Sequence, residues 1–135
     1  MKPKDSSRTV LIDTDTASDD AVALIMALRS PLVTVAAITV VAGNVSVEQS
    51  TSNALYTAEL CDSGVPIYTG ATKPLVRELQ MADWFHGVDG LGGHGYVPAA
   101  RRAALGAGQI DGGQTDLAAR LPADVRRAPR APEDL

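Results

Sequence analysis

The strongest constraint on this chain is a junction. A short apolar run, Thr9-Val10-Leu11-Ile12, leads straight into four aspartates within eight residues, Asp13-Thr14-Asp15-Thr16-Ala17-Ser18-Asp19-Asp20. The apolar, β-branched run reads as a buried strand. From Asp19 to Arg29 the pattern turns helical, with Ala21, Val22, Leu24, Ile25, Met26 and Leu28 apolar. So broad a stripe predicts a largely buried helix. Ser18 stands where an N-cap is expected, Arg29 suits the negative end of the helix dipole, and Pro31 stops the helix. The junction therefore places two pairs of carboxylates at the carboxyl end of a strand, where open α/β sheets bind ligands.

The alternation continues. Val33 to Val41 is apolar almost throughout, as expected of a strand covered on both faces of a parallel sheet. Ala42-Gly43-Asn44 makes the following turn. A second helix is expected from Ser46 to about Asp62, stopped by Gly64, and a third strand from Val65 to Thr69. The order is βαβαβ, for which right-handed crossovers are expected. Residues 70–98 read as a long functional loop. Its core, Trp84-Phe85-His86-Gly87-Val88-Asp89-Gly90-Leu91-Gly92-Gly93-His94-Gly95, holds both histidines and five of the 12 glycines. Residues 99–135 differ in kind: ten alanines, six arginines and no aromatic residue predict a partly disordered or divergent tail.

A length of 135 residues fits one domain, divided here into 1–98 and the tail. The net charge of -4 gives no electrostatic footprint for nucleic acid. Cys61 is the sole cysteine, so no internal disulfide forms, and a small buried apolar role is expected for it. No apolar run is long enough to span a membrane, and residues 1–9 lack the apolar core of a signal peptide. A cytoplasmic location is the resulting expectation, with no nucleic-acid or membrane partner.

Electrostatics gives the aspartates their chemistry. Two carboxylates about 4 Å apart repel by roughly 4 kcal/mol at an effective dielectric near 20. Uncompensated, that raises one pKa by about three units. A helix N-terminus offsets only about 0.3–1 kcal/mol. A hard divalent cation with oxygen ligands, Ca²⁺ or Mg²⁺, meets the need. Any single Asp here could equally be a turn former or a helix-start residue; four at one joint favour a site.

The motif Val10-Leu11-Ile12-Asp13-Thr14-Asp15-Thr16-Ala17-Ser18-Asp19-Asp20-Ala21 resembles the N-terminal fingerprint of the inosine-uridine preferring nucleoside hydrolases. Further matches follow in order: Ala37-Ile38-Thr39-Val40-Val41-Ala42-Gly43-Asn44-Val45, Asn53-Ala54, Val65-Pro66-Ile67-Tyr68-Thr69-Gly70 with Lys73-Pro74-Leu75, and His86-Gly87-Val88-Asp89-Gly90-Leu91-Gly92. The resemblance covers about residues 9–98. It implies the βαβαβ start of an open, mostly parallel, Rossmann-like α/β sheet with flanking helices. It also implies hydrolysis of the N-glycosidic bond of a ribonucleoside to ribose and free base. Under it, Asp15 ligates Ca²⁺ and acts as general base on the metal-bound water, and Asp20 is a second metal ligand. Asp19 holds the ribose hydroxyls, Asn44 binds the ribose, Asp13 supports the cluster from behind, and His86 faces the base. Without the resemblance, Asn44 reads as a turn residue and His86 as an ordinary polar loop residue. Trp84 and Phe85 fit either stacking on a base or anchoring the loop to the core.

Two departures stand out. Many family members carry Pro-Gly where this chain has Thr16-Ala17. The chain is also far shorter than the family's, and nothing in 99–135 matches the later ligand motifs, as expected of a truncated, frame-shifted or divergent end. The cluster is thus expected to supply part of a calcium site, with weak affinity and poor activity. The unpaired sheet edge invites association into a homo-oligomer. Two competing readings remain. The strand followed by Asp13-x-Asp15 also resembles the opening of haloacid-dehalogenase-like phosphatases, although Ala17 stands where they carry Thr or Val, and Asp19-Asp20 goes unexplained. The other is an inactive fragment that binds a nucleoside or cation without turnover.

Overall fold

A computed structural model describes residues 8–99. The tail 99–135 expected from composition therefore lies, but for its first residue, outside the described residues. Six elements follow in order: β1 (Arg8–Thr14), α1 (Ser18–Arg29), β2 (Val33–Val40), α2 (Val47–Leu60), β3 (Ile67–Thr69) and α3 (Asp83–His86). The strands form one sheet in the order β1-β2-β3, and both pairings are parallel. This is the βαβαβ unit expected from the alternation of patterns. Register places Asp13 beside Thr39 and Thr14 beside Val40, with an irregularity between Val10 and Leu11.

The core lies between the sheet and the two long helices, which also pack on each other. It is built from Leu24 of α1, Ile38 and Val40 of β2, Val47, Ala54 and Ala58 of α2, and Ile67 of β3. Arg29 ties the helices at their far ends by donating to the carbonyl of Leu60 at 2.8 Å. Helix α2 begins with Ser46, whose hydroxyl accepts from the Gln49 N–H at 3.3 Å. This is half of a capping box.

Several expectations need correcting. β1 is not buried: it is an edge strand on which Leu11 is 40% exposed. The run is apolar on both faces, but the helices cover only one of them among the described residues. α1 is not largely buried either. Ala21 and Leu24 are, whereas Val22 and Met26 are 57% and 69% exposed, because only one stripe of the helix meets the sheet and α2. Ser18 is not the N-cap. Ala17 occupies that position without a side-chain bond, and Ser18 opens the helix. Gly64 does not stop α2. Asp62 does, in the left-handed region at φ 52°, with Asp62 N–H bonded to Glu59 O and Ser63 N–H to Ala58 O, each at 3.0 Å. This is a Schellman motif built on an aspartate, since an Asp tolerates that conformation better than most residues. Cys61 is only partly buried, at the helix C-cap. The third strand is shorter than expected: it starts at Ile67, and of the two residues before it Pro66 offers β2 its carbonyl, which accepts from the Ile38 N–H at 2.9 Å. No helix among the described residues is long and apolar enough to cross a membrane.

Candidate active site

The carboxyl ends of β1 and β2 face two loops, and the aspartates collect there. Thr14 and Thr16 build the turn. Thr14 Oγ1 accepts from the Thr16 N–H at 3.0 Å and lies 3.2 Å from the Thr16 hydroxyl. Both threonines are buried. A threonine pair thus shapes the turn.

Asp15 is held from three sides. Its Oδ2 accepts from the Asn44 N–H at 2.7 Å, and its carbonyl accepts from the Ser50 hydroxyl at 2.6 Å. Gly43 closes the third side: a Cβ there would lie 2.1 Å from Asp15 Oδ2. Only a residue without a side chain lets the β2 turn approach this carboxylate.

Asp20 sits beside Asp15. Burial is the main force pushing its pKa up, followed by the hydrogen bond to and the charge of Asp15; the Thr14 hydroxyl and the Ala17 N–H pull the other way. The contact to Ala17 is the return half of a capping box, with an Asp reaching back to the N-cap N–H. Two neighbouring carboxylates form a hard oxygen donor pair, the donor chemistry that a Ca²⁺ or Mg²⁺ ion prefers. The pair fits such an ion in kind but not in number. Among the described residues, no group of three or more His, Cys, Asp or Glu converges on one point.

The other expected residues fall around this pair. Asp13 is exposed, and its Oδ1 accepts from the Thr39 hydroxyl across the strands at 2.5 Å. Asp19 is 76% exposed, with Oδ1 4.0 Å from His86 Nδ1. The His86 side chain is only 9% exposed and meets the Ser18 hydroxyl through Nδ1 at 2.9 Å. Asn44 gives its N–H to Asp15, and its carbonyl accepts from Ala82 N–H at 2.9 Å. The fold therefore brings Asp15, Asp19, Asp20, Asn44 and His86 to one end of the sheet. Trp84 and Phe85 do not anchor their loop: they are 83% and 70% exposed and pack edge-on to each other.

Two residues without a sequence-based role organise the site. Asp89 Oδ1 accepts from the N–H groups of Leu91 and Gly93, each at 2.8 Å, and its Oδ2 from Gly95 at 2.6 Å. Burial raises its pKa, but the N–H groups of Gly95, Leu91 and Gly93 outweigh burial and hold it below the usual carboxylate range. Asn53 is fully buried within α2, and its Nδ2 donates to Thr16 O at 2.9 Å and to Asp89 O at 2.8 Å. The signal for Asn53 was present in the sequence: an asparagine inside an otherwise regular helix is a poor helix former there and needs a reason. At its far end the loop doubles back on α2. Tyr96 stacks on Tyr56 at 4.9 Å between ring centroids, and Ala99 N–H reaches Glu59 Oε2 at 2.7 Å.

Comparison with known proteins follows the same line. Residues 10–131 match the family described as inosine-uridine preferring nucleoside hydrolase, a match that runs well into the compositionally distinct tail. The non-specific ribonucleoside hydrolase RihC of Salmonella enteritidis is 42% identical over 97 residues, covering 72% of this chain and 32% of the relative. Among solved structures, an inosine-guanosine nucleoside hydrolase superposes with a TM-score of 0.69 at 34% identity, over 93% of this chain and 35% of that one. A purine-preferring ribonucleoside hydrolase from Gardnerella vaginalis gives a TM-score of 0.64 at 30% identity, over 70% and 31%. The chain spans about a third of the length of the curated relatives it matches.

Proposed function

The chain belongs to the inosine-uridine preferring nucleoside hydrolase family, and from that premise we propose that its acidic turn is the cation- and sugar-binding part of a site that hydrolyses the N-glycosidic bond of ribonucleosides. The products are ribose and free base. The observation that carries this reading is Asp15, fixed by the Asn44 N–H and closed in by Gly43, with Asp20 as its neighbour and Asp19 and His86 beside them at the carboxyl end of a parallel sheet.

Cleavage of a glycosidic bond develops positive charge on the sugar. A calcium ion held by Asp15 and Asp20 would supply a water of lowered pKa beside that sugar. Asp15 is fixed by the Asn44 N–H and hemmed in by Gly43, so its carboxylate stays where it can take a proton from the attacking water. Asp19, exposed at the mouth, is free to accept from ribose hydroxyls, and its charge favours the cationic transition state. Asn44 lies at the same mouth as a ribose contact, while Asp13, bonded to Thr39, steadies the strand behind the cluster. His86 faces the leaving base and can polarise or protonate it.

The test is release of free base from inosine or uridine by the purified chain with Ca²⁺. Slow turnover is expected, abolished by Asp15→Asn and by chelation. Base release indifferent to both would sink the reading, and phosphate release from a phosphomonoester would favour the phosphatase instead. The donor count favours a second reading for the chain on its own. Two carboxylates supply only part of the 6–8 oxygens calcium takes, so weak binding without turnover is the outcome if nothing completes the site.

A further inference from the structure

We propose that Asn53 is a positioning residue: it locks the acidic turn and the glycine-rich loop into a single site and thereby sets where His86 stands. The inference rests on the reading of these two segments as halves of one hydrolase site. Asn53 lies in the second turn of α2 and belongs to neither segment, yet its amide reaches both. One Nδ2 hydrogen goes to the Thr16 carbonyl in the acidic turn, and the other to the Asp89 carbonyl in the glycine-rich loop. Its Oδ1 accepts from Gln49 Nε2 at 2.9 Å, which fixes the orientation of the amide and presents both hydrogens to the two carbonyls. The Asn53 side chain is fully buried, as is its bond to Thr16, so that carbonyl has no water as a ready substitute.

The loop is shaped to receive this amide. Gly90 sits at φ +74°, and a Cβ there would come within 3.2 Å of Asn53 Nδ2 and 3.0 Å of Val45 Cγ1. The path to His86 is short on both sides. In the loop, Gly92 N–H bonds to the His86 carbonyl at 2.8 Å, and Gly90 N–H to the Gly87 carbonyl at 2.9 Å, so Asp89 and His86 belong to one hydrogen-bonded turn. In the acidic turn, Thr16 lies two residues before Ser18, whose hydroxyl meets His86 Nδ1. Asn53 therefore closes a ring, and the Ser18–His86 contact is the opposite side of it. Without the amide, two carbonyls face one buried gap with no donor between them, and the loop withdraws.

The discriminating variant is Asn53→Asp, equal in size but with no hydrogen to donate when ionised. The control is Thr57→Ala. The Thr57 hydroxyl donates to the backbone carbonyl of Asn53 at 2.8 Å and the side chain is buried, so its truncation leaves a small cavity against the same helix and leaves the amide alone. In the full chain, Asn53→Asp is expected to move the His86 ring nitrogen resonances away from their hydroxyl-bonded positions toward those of a free imidazole. Thr57→Ala should lower the melting temperature without moving them. If Asn53→Asp does not fold, Gln49→Ala, on the half-exposed side of the helix, should give a smaller shift in the same direction. Unmoved His86 resonances in a folded Asn53→Asp or Gln49→Ala variant overturn the proposal, as does an equal shift in Thr57→Ala. Where turnover is measurable, kcat should fall on the order of 10²-fold with far less change in KM, the mark of a misplaced group. Absence of turnover in every form, wild type included, counts against the hydrolase reading and leaves the resonance result standing.

Discussion

At the scale of single residues, the site depends on what is missing as much as on what is present. Gly43 has no side chain, and that vacancy is where the Asp15 carboxylate rests. Gly43→Ala forces one of the two to move. The Asn44 N–H then loses its acceptor, and overpacking of this kind costs about 1–3 kcal/mol. The expected result is a lower melting temperature together with weaker Ca²⁺ binding by calorimetry, about fivefold or more where the displaced carboxylate carries the cost, since 1.4 kcal/mol is a factor of ten. The four aspartates were conspicuous in the sequence because ionisable residues crowd one strand-to-helix joint, whereas Asn44 and His86 were named only through the resemblance. Gly43 and Asn53 were quoted within the matching motifs; Asn53 also stood out as a poor helix former inside a helix, but what either residue does was not legible. A steric vacancy and a bridging amide are properties of three-dimensional neighbours, and neither leaves a periodic or electrostatic trace in the chain.

At the scale of elements, ends were harder to read than existence. All three strands and both long helices were foreseen, because hydrophobic periodicity reports what an element buries. Their caps followed local chemistry that competes with the obvious choice. Ser18 was the better N-cap by type, yet Ala17 takes that position and the Ser18 hydroxyl meets His86 instead. Gly64 was the better stop by type, yet Asp62 takes the left-handed position two residues earlier. Asp62→Gly should relieve part of the cost of that conformation, roughly 1–2 kcal/mol for an ordinary L-residue. Some of the gain is offset by the entropy of glycine in the unfolded chain. The expected outcome is a modest rise in melting temperature with no change in Ca²⁺ binding.

The glycine-rich loop makes an element-scale prediction in pH. Asp89 has a lowered pKa when folded, so its contribution to stability is fully present above its unfolded value, about 4. That contribution disappears as pH falls through the folded value. Urea denaturation from pH 7 down to pH 3 should therefore show wild type more stable than Asp89→Asn at neutral pH, with the gap closing in acid. A gap that stays constant with pH would mean that the three N–H contacts matter through shape rather than charge.

At the scale of the whole molecule, the sheet is covered on one side and open at β1 among the described residues. The sequence implied cover on both faces, since near-continuous apolarity in β2 is the pattern of a strand between two layers. That inference from residues to surroundings went beyond what residues 8–99 supply. The chain covers about a third of the relatives it resembles, and burial depends on what an element packs against, which its own residues only anticipate. The exposed Leu11, Val22 and Met26 are the outcome.

The closure of the glycine-rich loop at both ends has a further consequence. Ala82 N–H is pinned to the Asn44 carbonyl at its entry, and Tyr96 is stacked on Tyr56 at its exit. In polymer terms, the stretch bearing His86 is a ring rather than a dangling strand. The entropy lost in closing a ring grows only logarithmically with its length. Residues inserted at an outward-facing point such as Val88, which is 84% exposed, would therefore enlarge the ring at small cost and leave both fastenings in place. This stretch can thus lengthen without disturbing the turn that carries the aspartates.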